Sequence, residues 1–444
     1  MSKNMKPSGI EWIGDIPESW RIGRIEHNYE VILGKMVTPE QESPDQTLEN
    51  YLCAANIRWN GVDLEINKQM WYSSKEKGQY LLKKGDVLIM EGGSIGTTSV
   101  YNGEFEPCYI QNSVHCCRGI KSNNTKLLYY WMYLTYNSGF LDVVCNKATI
   151  AHYTKEKVCK TPLVLISPEE QELIVDFLDK QCKKIDSIII DLEKQIEILQ
   201  KYKKSLITET VTRGLDKSVS MNDCGVEWIG VIPEGWNIKR IKYLATLKGR
   251  IGWQGLTSDE YTDEGPFLIT GVDFVDGRVD WDSCVHITKE RWEEASEIQI
   301  KNGDLLITKD GTVGKVAIVS ELNNLASLNS GVLVIKTNEK FNRRFLYWVL
   351  QSEEFWTWFK LKNAGNSTII HLYQKDFEEF CYTYPEEDEQ IHIADFLDEQ
   401  NIKIDSIVES KKEQLTKVIQ HKKSLIYEYV TGKKRVKGAQ SNGN

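Results

Sequence analysis

The chain has no long apolar run. Nowhere do 18 apolar residues follow one another, so no membrane-spanning helix is expected. The opening MSKNMKPSGIEW has no apolar stretch that could serve as a signal peptide. Ten cysteines are scattered, only Cys116 and Cys117 adjacent, and no C-x-x-C occurs. Zinc sites need clustered ligands, so no metal site is expected. Without an export signal the cysteines read as reduced, mostly buried thiols and the chain as cytoplasmic. No two of the ten prolines are adjacent, and no G-x-x-x-x-G-K-[ST] phosphate loop exists. Cations are also short: 55 Lys and Arg against 64 Asp and Glu leave a net charge of −9. Taken alone, that counts against a polyanionic partner, although a basic face can coexist with acidic flanks. What the chain does have is 41% hydrophobic and 10% aromatic residues, ample for real cores, in a length that suggests two to four domains.

It also has nearly everything twice. GIEWIGDIPESW at 9–20 and GVEWIGVIPEGW at 225–236 agree at nine of twelve positions. GDVLIMEGGSIG (85–96) corresponds to GDLLITKDGTVG (303–314), NSV (112–114) to NSG (329–331), and ATIAHY (148–153) to STIIHL (367–372). PEEQELIVDFLDKQCKKIDSI (168–188) corresponds to PEEDEQIHIADFLDEQNIKIDSI (385–407), and KKSLITETVT (203–212) to KKSLIYEYVT (422–431). Six collinear matches at an offset drifting from 216 to 219 make the chain a tandem duplication.

Each copy has two parts. The first is rich in Gly, Asn and aromatics, with short apolar runs between turns. YLCAANIRWNGVDLEI and FLITGVDFVDGRVDWD read as strand–turn–strand, and KKGDVLIM and KNGDLLIT as a turn entering a buried strand. LLYYWMYLTYNSGFL and RRFLYWVLQSEEFWTWF are helical candidates. The second part opens at Pro168 or Pro385 with two acids, a good helix start, and has no Gly or Pro before Thr212 or Thr431. Apolar residues recur in a heptad frame at Ile185, Ile189, Leu192, Ile196, Leu199 and Leu206, broken by Lys203. The second copy repeats the frame at Ile404, Val408, Leu415, Val418 and Leu425, broken by Lys411 and Lys422. The two helices are expected to pair as a coiled coil, with about 29 residues of seam spanning roughly 43 Å.

The stretches between the shared anchors differ, so one scaffold carries two surfaces. On these motifs the chain resembles the specificity (S) subunit of a type I restriction–modification system, over essentially its whole length and in both copies. The resemblance implies an α+β fold: two tandem β-rich α/β target-recognition domains, separated by two long antiparallel coiled-coil helices with pseudo-two-fold symmetry. The implied boundaries are a first target-recognition domain at 1–162, a first long helix and connector at 163–223, a second recognition domain at 224–384, a second long helix at 385–431, and a basic disordered tail at 432–444. It implies that each domain contacts half of a split, asymmetric double-stranded DNA sequence. The helices would set the spacing and dock two methyltransferase subunits. A separate motor–nuclease subunit would complete a restriction complex.

No catalytic centre is legible. The N/D-P-P-Y/F loop of DNA adenine methyltransferases cannot exist without paired prolines, and no E-x-K or D-x-K follows the one Pro-Asp pair, Pro44-Asp45, within 30 residues. The chain is therefore expected to bind no cofactor of its own, S-adenosylmethionine belonging to the methyltransferase partner. GGSIG and DGTVG resemble phosphate cradles but lead into strand-like sequence rather than a helix, which suits a tight β-turn. Ser94, Thr97, Lys309 and Thr312 on these turns are candidates to reach DNA. Lys147, Thr149 and His152 in NKATIAHY, with Ser367, Thr368 and His371 in GNSTIIHLY, offer a second DNA-facing loop per copy. Where the copies differ, Arg58 and Asn60 on one turn and Arg250 and Gln254 in GRIGWQG have the chemistry of guanine and adenine readers. Trp12, Trp20, Trp228 and Trp236 are kept in both copies and belong to the scaffold. A protein–protein scaffold with two binding modules on a coiled-coil stalk is the rival reading. It suits the acidity better and the Asn, Ser, Thr, Lys and Arg of these loops less well.

Overall fold

The structure, a computed structural model, describes residues 4–145, 151–250, 255–338, 341–364 and 371–436. It divides into two compact units, Met1–Leu192 with Glu413–Asn444, and Glu193–Lys412. The division cuts through both long helices, Pro168–Arg213 and Glu387–Val430. Each unit therefore holds one β-rich body, the start of the helix that follows it and the end of the other helix.

In the first unit, strands Thr98–Val100, Val87–Met90, Val114–Gly119 and Tyr29–Leu33 form an antiparallel sheet in that order. A second sheet places Thr47–Leu52 between Tyr109–Ile110, paired in parallel, and Lys68–Tyr72. The second unit repeats both sheets. Val316–Ile318, Leu305–Thr308, Val332–Thr337 and Ala245–Gly249 make the four-stranded one. Thr262–Ile269 lies between Ala326–Leu328 and Val285–His286 in the other. The apolar runs VLIM and LLIT are buried because both faces of their sheet are covered: Val87 and Ile89 join one apolar cluster, Leu88 and Met90 another. Leu305 and Ile307 are likewise separated from Leu306. The longer apolar stretches form helices, Thr125–Asn137 with Phe140–Val144, and Arg343–Val349 with Glu353–Lys362.

The two bodies grip their helices alike. Gln171 and Gln390 are fully buried, and their side-chain oxygens accept from the amides of Asn124 (2.7 Å) and Asn342 (3.0 Å). The indole of Trp20 donates to Glu170 at 3.0 Å, and that of Trp236 to Glu389 at 2.9 Å. Asp179 accepts from Tyr130 and Lys126, and Asp398 from Trp348 and Arg344.

The heptad frame is the buried line of both helices. Ile185, Leu192, Ile404 and Val408 are buried, and Ile189, Ile196, Leu199, Leu206, Leu415, Val418 and Leu425 half-buried. Flanking Ile190 and Ile402 are 62% and 70% exposed. The three seam lysines are not gaps. In the first unit Lys422 reaches Asp186 at 2.6 Å; in the second Lys203 reaches Asp405 at 2.7 Å and Lys411 reaches Gln195 at 2.6 Å. In the first unit the Phe177 ring also meets that of Tyr429; in each unit one partner's number falls as the other's rises, so the helical segments run antiparallel within it. At 46 and 44 residues the helices are about 69 and 66 Å long, well beyond the seam length read from sequence.

Each body's core is completed by the far end of the other copy's helix. Ile426 and Val430 are buried among Ile13, Trp20 and Trp131, and Ile207 and Val211 among Phe345, Phe380 and Tyr382. Thr383 donates to the Val211 carbonyl at 2.6 Å.

Three expectations change. The second helix starts at Glu387, two residues after Pro385, because two extra acidic-segment residues precede Gln390, the counterpart of Gln171. The tail after it is ordered at least to Arg435–Val436. Lys433 donates to the carbonyls of Ile13 (3.1 Å) and Asp15 (2.9 Å), Lys434 pairs with Glu428, and Val436 packs on the first core. Gly432, at φ +75°, leaves 2.5 Å between a would-be Cβ and Pro17, so only glycine fits the turn onto the first body. Residues 437–444 lie outside the described ones. Finally, Glu91 N donates to Ser113 O and Lys309 N to Gly331 O, so Gln111-Asn112-Ser113 matches Asn329-Ser330-Gly331, one residue off the NSV–NSG match. All ten cysteines are free and most are buried. Among the described residues no helix is long and apolar enough to cross a membrane.

Two stability predictions follow from these cores. Ile426→Ala and Ile207→Ala should each cost about 2–5 kcal/mol, against less than about 0.5 kcal/mol for Ile190→Ala, read as shifts in the chemical unfolding midpoint. Glu354 is buried in the second core, and neither carboxyl oxygen has a partner among the described residues. Burial pushes its carboxyl up to about 8. The folded state therefore holds this proton more tightly than the unfolded chain. Its contribution is full below the ordinary glutamate range and is lost as pH rises through about 8. Glu354→Gln should raise the unfolding midpoint at pH 8 and flatten its decline between pH 5 and pH 8, roughly the window between ordinary and shifted values.

Candidate nucleic-acid interface

The loops that leave the two sheets of each body at one end meet in a cluster. In the first unit, strand Tyr29–Leu33 runs into Lys35, which is buried. Its ammonium donates to the Trp71 carbonyl (2.7 Å) and Glu76 (2.8 Å) and lies 5.1 Å over the Tyr72 ring. Its backbone bonds Ile110 and Asn112 at 3.0 and 2.8 Å. Ser113 accepts from Glu91 N through its carbonyl and from Ala54 N through its hydroxyl, both at 2.9 Å. Glu91 opens the GGSIG turn, closed by Gly96 N to Met90 O at 3.0 Å. Its carbonyl accepts from Tyr153 N at 2.8 Å, which ties the histidine loop to the turn. His115 anchors the same loop from below, donating through Nε2 to the Tyr153 carbonyl at 2.7 Å. Burial pushes the His115 imidazole down to about 4, so it is neutral and structural.

The second unit builds the cluster on the same backbone bonds. Lys309 N donates to Gly331 O at 2.8 Å and Lys309 O accepts from Leu372 N at 2.9 Å. Thr312 donates through its hydroxyl to the Gly271 carbonyl at 3.1 Å, and a Cβ on Gly271 would stand 2.9 Å from that hydroxyl. His371 bonds Asp310 through Nδ1. Asp273 caps its loop by accepting from Thr270 N at 2.7 Å, as Asn56 does from Cys53 N at 3.0 Å.

Two separately read motifs thus become one surface in each unit. Ser94 and His152 are exposed at its rim, with a cavity of about 460 Å³ between Ser94, Tyr136, Asp142 and Ala151. Thr312 is exposed, and Lys309 and His371 are half-buried beside it. Lys147, Thr149, Gln254, Ser367 and Thr368 lie outside the described residues. Thr97 is in place but buried at 6% exposure, so its side chain belongs to the turn's interior rather than to a partner. Arg250 is a correction. It is 4% exposed, donates to the Leu328 carbonyl at 2.7 Å and the Ser327 hydroxyl at 3.0 Å, and so stays inside the fold, away from any base edge. Like Lys35 in the first unit, it is a buried cation just past the edge strand of the four-stranded sheet, bonded within the fold. Arg58 and Asn60 are exposed on a hairpin, where the guanidinium bonds Ile57 O and Asp63. That hairpin is fixed by Trp59, packed edge-on against Tyr129, Tyr133 and Tyr136.

Sequence reasoning missed Glu91, half-buried between turn and histidine loop, and Met36 and Val37, 74% and 51% exposed after Lys35. The signal for the latter was an apolar pair running past the strand into a Pro-rich polar stretch. The buried cation is testable: Arg250→Ala leaves two buried acceptors unpaired and should cost the second unit about 1–3 kcal/mol in chemical unfolding, whereas Arg58→Ala should stay within about 0.5 kcal/mol.

Comparison with known proteins agrees with this architecture. Residues 53–199 and 233–420 match the family model of the type I restriction modification DNA specificity domain. The chain is 25% identical over 442 residues to the putative type I restriction enzyme MjaX specificity subunit of Methanocaldococcus jannaschii, covering 96% of each chain. It is 23% identical over 434 residues to the MjaVIII specificity subunit of that organism, covering 95% of this chain and 94% of that one. A solved chain from work on complex assembly and conformational transition of the type I restriction–modification system superposes with a TM-score of 0.70 at 14% identity, covering 94% of this chain and 98% of that one. Matched twice by that model, once in each copy, the chain belongs to the type I restriction–modification DNA specificity family.

Proposed function

We propose that this chain is the DNA-recognition subunit of a type I restriction–modification complex. The observation that carries the reading is the pair of loop clusters: one backbone frame, built twice, with different side chains on it. Each cluster reads one half of an asymmetric, bipartite duplex target. The long helices set the spacing between half-sites and offer two equivalent seats for methyltransferase subunits. Half-sites one helical turn apart lie about 34–36 Å from centre to centre, within the reach of helices of this length. The chain supplies recognition and no chemistry. The methyltransferase partner binds S-adenosylmethionine and flips the adenine, and a motor–nuclease partner cuts unmodified DNA where one is present. The complex works in the cytoplasm, where its DNA is. Family membership disfavours the scaffold reading.

Co-expression with the methyltransferase encoded beside it, followed by mapping of N6-methyladenine by long-read sequencing, tests the reading. The expected result is one asymmetric split motif, with one methylated adenine in each half on opposite strands. A complex that assembles but adds no methylation, with a methyltransferase competent beside another specificity partner, would sink it.

A further inference from the structure

The shared frame permits a comparison position by position, and at one position the two clusters carry opposite charge. Glu91 and Lys309 each follow the buried strand of their sheet. Each amide donates to the residue before the neighbouring strand, Ser113 at 2.9 Å and Gly331 at 2.8 Å. Each carbonyl accepts from the histidine loop, at 2.8 and 2.9 Å. Both residues are half-buried. Neither side chain has a hydrogen bond among the described residues; the Glu91 carboxylate has only the His152 imidazole at 3.9 Å. Partly desolvated polar groups serving the fold are normally bonded within it, as Lys35, Asp86 and Arg118 are here. Burial also raises the Glu91 carboxyl above the ordinary range, a cost that a partner would offset.

A carboxylate aimed at a phosphate backbone is repelled. In the major groove the groups that reward it are the exocyclic amines of cytosine and adenine, whereas an ammonium is matched by the acceptors of guanine or the O4 of thymine. We propose that Glu91 and Lys309 are specificity-determining residues at the same position of the two reading heads. Glu91 accepts from a base amino group in one half-site, and Lys309 donates to a base acceptor in the other. This rests on the DNA-reading function proposed above.

The test uses the complex with the methyltransferase and duplexes varied at every position of the mapped motif. Glu91→Lys should change the preference at one position of one half from cytosine or adenine toward guanine or thymine, by about ten-fold or more, and leave the other half untouched. Lys309→Glu should do the reverse in the other half. Glu91→Gln, nearly isosteric, should relax the same position as Glu91→Lys and keeps the test open should the charge reversal fail to fold. Variants that assemble yet keep the wild-type motif would overturn the proposal. So would an even loss of methylation across all sequences, the signature of a lost phosphate contact. Absence of any split motif with the unaltered chain would instead refute the function, an outcome separate from the behaviour of the variants.

Discussion

The structure depends on the burial of each long helix's end in a core that the other copy began. Ile426 and Val430 sit among Ile13, Trp20 and Trp131, and Ile207 and Val211 among Phe345, Phe380 and Tyr382. A helix with a heptad seam and a charged outer face is marginal alone, since helices draw most of their stability from packing. Here the packing is supplied at both ends. The start is held by a buried glutamine, a tryptophan and an aspartate, and the end by a core that is unfinished without it. Neither β-rich body is therefore a self-sufficient domain, and the compact units cross the boundary between the repeats.

The seam lysines follow from the same constraint. An apolar heptad line fixes that two helices meet, and a lysine on that line needs a partner across it. Lys422 meets Asp186 and its counterpart Lys203 meets Asp405, the same pairing built twice. In each pair the lysine is partly buried and the aspartate is open to solvent, so the pair adds modest stability. Each pair instead lets an ammonium stand on an otherwise apolar seam with its charge met across it. Lys411 on Gln195 has no counterpart in the first copy, where Leu192 stands at the matching place. The otherwise matched seam is thus unequal at one point.

Much of this was legible in the sequence. The repeat announced two equivalent bodies, the heptads gave the seam residue by residue, and the runs VLIM and LLIT gave the central strands. What could not be read was which helix end would enter which core, because apolar spacing states that a face is buried and not against what. Register at loops was also out of reach: Asn112-Ser113 and Asn329-Ser330 look equivalent as letters, yet the backbone bonds of Glu91 and Lys309 shift the match by one. Arg250 failed for a sharper reason. Residue type was taken as a sign of exposure, but arginine carries five donors and can serve a fold as readily as a base. Here it satisfies Leu328 and Ser327 in the interior, as Lys35 satisfies Trp71 and Glu76.

That pair of buried cations separates scaffold from surface better than residue type does. Where a buried cation has its bonds satisfied within the fold, as Lys35 and Arg250 do, it holds the loop base, whatever its side chain could do in solution. Where the copies hold the same backbone bonds but reverse the charge and leave the side chain without a bond, the fold has no use for the difference. The acidic balance of the chain also fits such a surface. A head that reads base edges needs acceptors as well as donors, because the major groove presents both. A carboxylate at that depth weakens attraction to the phosphate backbone and gains discrimination between bases. Net charge measures the first of these effects and is silent on the second.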